Sequence, residues 1–386
     1  MIIGKTVPNT NSFFSSEDSK VVELFPKVAN RHGIIAGMSG SGKTVTMRVL
    51  LEQFSKHGIP VLATDIKGDL SSISNKSEQR KSSDWKPYQF PVKFWDVFGK
   101  SGENLQATID ELGVLLVSRM LGLTEAQSSV LSSVFDLADK LGKKVASLDH
   151  ILSALKYLTS AGYKISGEEF GIMSSSSVGV IQRKIFELKR NGGDKFFNDS
   201  GFCLDKLIKL NKRSEGVINI LNSVELVKFP TIYATFVVWI LNKLYDELPE
   251  VGNLDKPKFA IFIDEAHLLF GGIQKSLLSK IEQAVRLIRS KAVGVYLITQ
   301  NPADIPDSIS SQIGNRIIHN LSGFSTRERR NIKTIAESFP QNTMLNAQDE
   351  IISLATGHAL VSFLDQNGKP QPVEKVKINL PQSKIS

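Results

Sequence analysis

Residues Arg31–Thr46 read RHGIIAGMSGSGKTVT, and this stretch decides the fold. A short apolar run, GIIA, enters a glycine-rich turn. An amphipathic run, VTMRVLLEQFSKHG, follows and ends at Gly58. That pattern is strand, loop, helix, with a glycine closing the helix. A second strand, PVLATDI (Pro60–Ile66), comes at once. Strand–helix–strand with a short return is a βαβ unit and implies a parallel sheet. The expected fold class is α/β, a mainly parallel sheet flanked by helices.

The turn itself, GMSGSGKT at Gly37–Thr44, fits G-x-x-x-x-G-K-[ST] in full. The backbone must curl around phosphates with no Cβ in the way, hence the glycines. Successive N–H groups and the N-terminus of the next helix then face anionic oxygens. The expected nucleotide contacts are Gly37, Met38, Ser39, Gly40, Ser41, Gly42, Lys43, Thr44 and Val45. Lys43 is expected on the β- and γ-phosphates, and the Thr44 hydroxyl on magnesium.

Working outward, FAIFIDEAH (Phe259–His267) is an apolar strand ending in two carboxylates. Acids at the C-terminal end of a parallel strand lie beside the phosphate loop. Asp264 is expected to hold magnesium through its water shell, and Glu265 to act as general base on the attacking water. A small-molecule kinase fits less well, because the Asp-Glu pair suits water activation. The string DEAH also marks a class of RNA helicases. Those carry two tandem lobes, whereas one phosphate loop is present here, so His267 reads as a neighbour of the site. Asp65, ending the strand after the phosphate-loop helix, reads equally as a contact with the site or a neighbouring subunit and as a turn acid.

The 386 residues suit two domains, or one large α/β core with an insertion. Residues 1–30 look polar and irregular. The core runs over 31–104 and resumes over 216–378, with 379–386 as a tail. Residues 105–215 show helical periodicity, as in IDELGVLLVSRML, and read as a helical insertion. The core strands expected beyond it are Val217–Leu221, Gly294–Gln300, Asn315–Asn320 and 358–363.

The composition, 41% hydrophobic and 22% charged, is that of an ordinary globular protein. The net charge of +8 suits a nucleic-acid partner. Basic residues gather in Gln182–Arg213, with nine Lys/Arg against four Asp/Glu, and in Arg286–Lys333, with eight against three. The single cysteine, Cys203, excludes an intramolecular disulfide and reads as a small buried or half-buried side chain. No signal peptide is expected. The apolar stretch Tyr233–Leu241 is about half of what a bilayer crossing needs, so it reads as a core helix of a cytoplasmic protein. NLSGFS (Asn320–Ser325) superficially resembles the transporter-ATPase signature loop. It follows the acid motif instead of preceding it, and the match is rejected.

Together, RHGIIAGMSGSGKTVT, TDIKGDLS, FIDEAHLLF, LIRSKAVGVYLITQNPADIP and IGNRIIHNL resemble the HerA/FtsK superfamily of RecA-like ATPases, and within it the YjgR-type, HerA-like branch. The resemblance runs from about Arg31 to Val376. It implies a RecA-like core, ATP as the nucleotide with Mg2+, and a ring-shaped homo-oligomer, with a hexamer favoured. It also implies translocation on double-stranded DNA, with a nuclease or other protein as a further partner. Gln300, ending GVYLITQ, takes the place of the γ-phosphate sensor, although a strand-end glutamine also serves as a cap. Arg286, Arg289 and Arg316 are the arginine-finger candidates, one of them acting in trans. The segment before Arg31 is too short for the β-barrel of HerA, and no winged-helix reader like that of FtsK follows. A nucleotide-dependent switch that threads no DNA therefore stands as the alternative.

Overall fold

The computed structural model describes residues 1–7, 19–78, 86–160, 174–252, 254–271 and 275–385. The chain divides into two compact units. One holds residues 1–94, 205–224 and 244–386; the other holds 95–204 and 225–243.

The first unit is built on strands β1 (Ile2–Thr6), β2 (Val21–Glu23), β3 (Gly33–Ala36), β4 (Val61–Asp65), β7 (Ile218–Asn222), β8 (Phe259–Ile263), β9 (Val293–Thr299), β10 (Asn315–Ile318), β11 (His358–Ser362) and β12 (Glu374–Ile378). Strands β5 (Val92–Asp96) and β6 (Glu103–Asn104) lie where the chain enters the second unit and pair in parallel. The spatial order in the first unit is β2-β1-β12-β11-β10-β3-β9-β8-β4-β7. From β10 to β7 every pairing is parallel. From β10 outward to β2 every pairing is antiparallel. The parallel strands are buried along almost their whole length, which is why they read as unbroken apolar runs.

Helix α1 (Lys43–Lys56) returns over this sheet. It lays down Met47, Leu50, Leu51 and Phe54, each worth about 1.5–3 kcal/mol of burial. The Phe54 ring stands edge-on to Phe262 (5.5 Å) and Tyr296 (5.4 Å), which stack on each other at 4.6 Å. The other side of α1 is buried too. Arg48 donates to the Asp69 and Lys384 carbonyls and to Ser72 Oγ, and Glu52 accepts from Ser383.

The second unit contains α2 (Ile109–Met120), α3 (Glu125–Lys140), α4 (Leu148–Thr159) and α5 (Ser175–Arg190). Capping boxes at Thr108 and Thr124 start the first two. Trp95, Phe202, Phe196, Phe236 and Trp239 form an edge-to-face aromatic core. The last two belong to α6 (Pro230–Glu247), whose residues up to Lys243 lie in this unit.

Three expectations from sequence are corrected here. Residues 1–30 are not irregular throughout, for β1 and β2 lie within them. Ile3, Val22 and Leu24 are buried there, a pattern too short to stand out. The strand β12 went unforeseen for the same reason. Cys203 is exposed, not buried or half-buried.

Candidate active site

Parallel pairing brings the C-terminal ends of several strands to one edge of the sheet. In order they carry His319 after β10, the phosphate loop after β3, Gln300 after β9, Asp264–Glu265 after β8 and Asp65–Lys67 at β4. Lys43 and Asp264, 221 positions apart, therefore lie two strands apart in space. Lys43, Thr44, Thr64, Asp65, Lys67 and Asp264 line one small cleft.

The loop backbone needs its glycines. Gly37 and Gly42 have φ of 157° and 114°, and α1 begins at Gly42 with no side-chain cap. A Cβ on Gly37 would fall 2.6 Å from both His319 Cβ and Ser41 Oγ. Gly37 N donates to Thr299 O (3.3 Å) and Met38 N to Asn320 O (2.8 Å), which pins the loop to the two neighbouring strands. Ser39 and Gly40 are exposed, Thr44 and Val45 half-buried. The buried Ser41 Oγ has no hydrogen-bond partner among the described residues. An uncapped helix start and an orphaned hydroxyl suit an anion seated on this loop.

Lys43 turns back across its own loop, its ammonium donating to Gly37 O (2.5 Å) and Met38 O (3.0 Å). Burial, and then the nearby Lys67, push this ammonium below the usual lysine range. Glu265 and Asp264 pull the other way.

Asp264 N donates to Thr64 Oγ1 (2.8 Å), so the acid pair is anchored on the neighbouring strand. Burial first, and repulsion from Glu265 second, raise the Asp264 carboxyl to about 7. Two acids crowded in a buried place are a donor set that a divalent cation relieves. Glu265 is 6% exposed, and its backbone lies in the left-handed region at φ 45°. Such strain in a non-glycine residue is held by its surroundings and clusters at functional sites. One carboxylate oxygen, Oε1, is 3.2 Å from Lys67 Nζ and accepts from Gln300 Nε2 (3.1 Å). The other, Oε2, is buried and makes no hydrogen bond among the described residues, with His267 Nδ1 3.4 Å away.

The expected residues fall into two groups. Lys43, Thr44, Asp264, Glu265 and Gln300 share the edge just described, and His267 is their neighbour. Arg286 is exposed on α7 (Lys275–Leu287), and Arg289 is exposed in the turn that feeds the start of β9, at the far edge of the sheet. Arg316 lies within β10, its guanidinium donating to Ser338 O (2.9 Å) and Ser338 Oγ (2.6 Å). Asp65 accepts from Gly68 N (2.8 Å) and Leu70 N (3.0 Å) and so closes the turn after β4. Lys67, inside that turn, was missed. Its only signal was its place in TDIKGD, after a strand that proves to adjoin the acid strand.

Residues 10–386 match the family described as Helicase HerA-like C-terminal. The chain belongs to that HerA-like family. Among curated relatives, the protein named Probable helicase MJ1565 of Methanocaldococcus jannaschii is 24% identical over 355 residues, 89% of this chain and 62% of that protein. A second from the same organism, Probable helicase MJECL08, is 22% identical over 381 residues, 90% of this chain and 67% of that protein. This HerA-like chain thus spans less than two thirds of the first relative. Among solved structures, plasmid coupling protein TrwB with the ATP analogue ADPNP superposes with a TM-score of 0.64 at 14% identity, over 99% of this chain and 95% of TrwB. TrwB is also solved with ADP and Mg2+, and superposes there at 0.63. VirB4 of Thermoanaerobacter pseudethanolicus gives 0.61 at 13% identity, over 98% of this chain and 96% of VirB4. The fold of the HerA-like chain is that of RecA-like P-loop NTPases.

Proposed function

We propose that this chain hydrolyses ATP with Mg2+ as the motor subunit of a cytoplasmic homo-oligomeric ring, a hexamer, that translocates on or remodels double-stranded DNA. The observation that carries the hydrolase reading is the meeting of Lys43, Thr44 and Asp264 in one cleft, with Glu265 buried beside it. Family membership and the ligands of TrwB support ATP and Mg2+ as the pair bound.

A bound magnesium ion would supply charge neutralisation on the triphosphate. Thr44 and Asp264 are the residues to hold it. The loop Gly37–Thr44 presents its backbone to the phosphates, and Lys43 exchanges its loop carbonyls for phosphate oxygens. Glu265 takes the proton from the attacking water through Oε2, a buried oxygen that has no hydrogen bond among the described residues and that the water would have to reach. Lys67 and Gln300 grip Oε1 and fix the direction in which that oxygen points. Gln300 also sits between loop and acids, where a group that senses the γ-phosphate belongs.

Arg286 and Arg289 stand at the opposite edge of the sheet from the loop. Either serves a nucleotide only across a contact between copies, whereas Arg316 is held by Ser338. Among the described residues no helix is long and apolar enough to cross a membrane.

The test is ATP turnover at low salt with and without duplex DNA. A rise of several-fold supports the motor. Turnover that ignores DNA leaves the nucleotide-dependent switch, with or without a nuclease or other protein partner.

A further inference from the structure

Beyond β10 the chain runs from the phosphate loop to a bare aromatic ring. His319 N donates to Ala36 O (2.7 Å), and its Nε2 pairs with Thr46 Oγ1 on α1 (2.8 Å). Asn320 O accepts from Met38 N within the loop. Four residues on, Phe324 is 91% exposed, more than any other large hydrophobic side chain among the described residues. Ser325 then caps the helix Thr326–Glu337, in a capping box with Glu328.

Only Ile332 of that helix is buried. Arg327, Arg330 and Lys333 are exposed and recur every three residues, so they form one stripe along the solvent side. Glu328 is engaged by the cap, and Glu337 reaches Lys333 only at the far end (3.9 Å). Arg329 is turned back onto Gly323 O (2.9 Å). Like charges at this spacing repel and weaken a helix, and a polyanion relieves them.

We propose that Phe324 and the Arg327–Arg330–Lys333 stripe form a nucleic-acid contact, the cations on backbone phosphates and the ring stacked on a base. The proposal rests on the DNA-motor reading and names its contact surface. Backbone cations beside an aromatic platform are how strands are held without sequence preference. A second copy of this chain, with net charge +8, offers the stripe like charge overall. The contact is also wired to the nucleotide site. A strand that pulls on Phe324 pulls on Asn320, which is bonded to the phosphate loop, and on His319, which is bonded to α1. Strand engagement and nucleotide state therefore bias one another, reciprocally.

The test measures anisotropy of a fluorescein-labelled oligonucleotide, single-stranded and as its duplex, across a salt series. Phe324→Ala, at so bare a position, leaves the fold intact. It is expected to weaken single-strand binding about 5- to 150-fold. An added loss on the duplex means that the ring wedges into a base step, which also supports the contact. Replacing Arg327, Arg330 and Lys333 together by alanine is expected to flatten the salt slope on the single strand by roughly 2.

Wild-type binding by both variants overturns the proposal. So does an equal loss when the exposed Lys143 and Lys144 are changed to alanine instead. So does a drop in particle mass of Phe324→Ala, which would make this face a contact between copies. ATP turnover by a wild-type chain that binds no strand overturns this inference alone. Strand binding that depends on Phe324 in a chain without turnover overturns the hydrolase reading alone.

Discussion

Glu52 and Glu265 are both buried glutamates of the first unit, 2% and 6% exposed, and the fold treats them in opposite ways. Glu52 lies mid-helix and accepts from Gln382 N (2.8 Å), Ser383 N (2.9 Å) and Ser383 Oγ (2.7 Å). Burial raises its carboxyl, and those three bonds oppose the rise. Glu265 sits on a strained backbone with one oxygen gripped and the other making no hydrogen bond. A buried charge that is fully partnered fastens two segments together. One left half partnered beside a cleft is held ready for something else.

The same substitution at both positions is the sharpest way to break that comparison. Glu265→Gln keeps shape and removes the base. ATP turnover should fall about 10²–10⁴-fold with nucleotide binding retained. Single-turnover hydrolysis and analogue binding read the two effects separately, and normal hydrolysis would place the base elsewhere.

A second buried group extends the comparison to one whose partners suit a single protonation state. His32 accepts from Val295 N at Nδ1 (3.0 Å), so Nε2 carries the hydrogen and donates to Val285 O (2.8 Å). Burial above all, with Arg289 and Arg31 adding, lowers it to about 4, while the Val285 bond acts the other way. Its folded value is below the unfolded one of about 6.5. The neutral ring's contribution is therefore complete above pH 6.5 and is lost as pH falls from there to 4. The full loss is about 3 kcal/mol. His319, also lowered to about 4 mainly by burial, acts in the same direction. Urea midpoints between pH 7 and 4 should drop in the wild type and drop less in His32→Gln.

Glu52→Gln completes the exchange. It replaces one acceptor oxygen with an amide NH2, a donor set against the donors of Gln382 and Ser383, at about 2 kcal/mol. Thermal melting should register this, while turnover per folded molecule stays within a few-fold of wild type. A turnover loss like that of Glu265→Gln would erase the distinction between the two glutamates.

Much of this was legible in sequence, for reasons the structure makes plain. The phosphate loop and its flanking strand and helix are contiguous, and local pattern encodes local structure. Asp264 and Glu265 stood out because two acids end a run buried on both faces. What periodicity could not supply was strand order. That β9 lies between β3 and β8, and so places Gln300 between loop and acids, is set by packing across the whole unit. Strands β1, β2 and β12 each bury only one or two apolar side chains, too few to register. Local pattern does not mark Arg48 and Glu52 as buried, because residues 382–384, which bond to them, lie some 330 positions along the chain.

Lys67 was hidden for that same reason, and it gives the finest test. In sequence it is a lysine in a polar turn. In the structure β4 adjoins β8, and Lys67 Nζ lies 3.2 Å from Glu265 Oε1. Burial acts to lower its ammonium, but the Glu265 carboxylate, with Asp264 and Asp69 adding, outweighs that and holds it above the usual lysine range. If Lys67 serves to aim Glu265, Lys67→Met should cost about tenfold in kcat, roughly 1.4 kcal/mol, with KM for ATP nearly unchanged. If it instead contacts a phosphate from the ground state onward, KM should rise and kcat hold. Lys67→Arg keeps the charge and should recover most of kcat only in the first case, because the guanidinium still reaches Oε1. A rise in KM with kcat intact would move Lys67 from the grip on Glu265 to the nucleotide itself. Gln300 would then be the sole side chain fixing the base through Oε1.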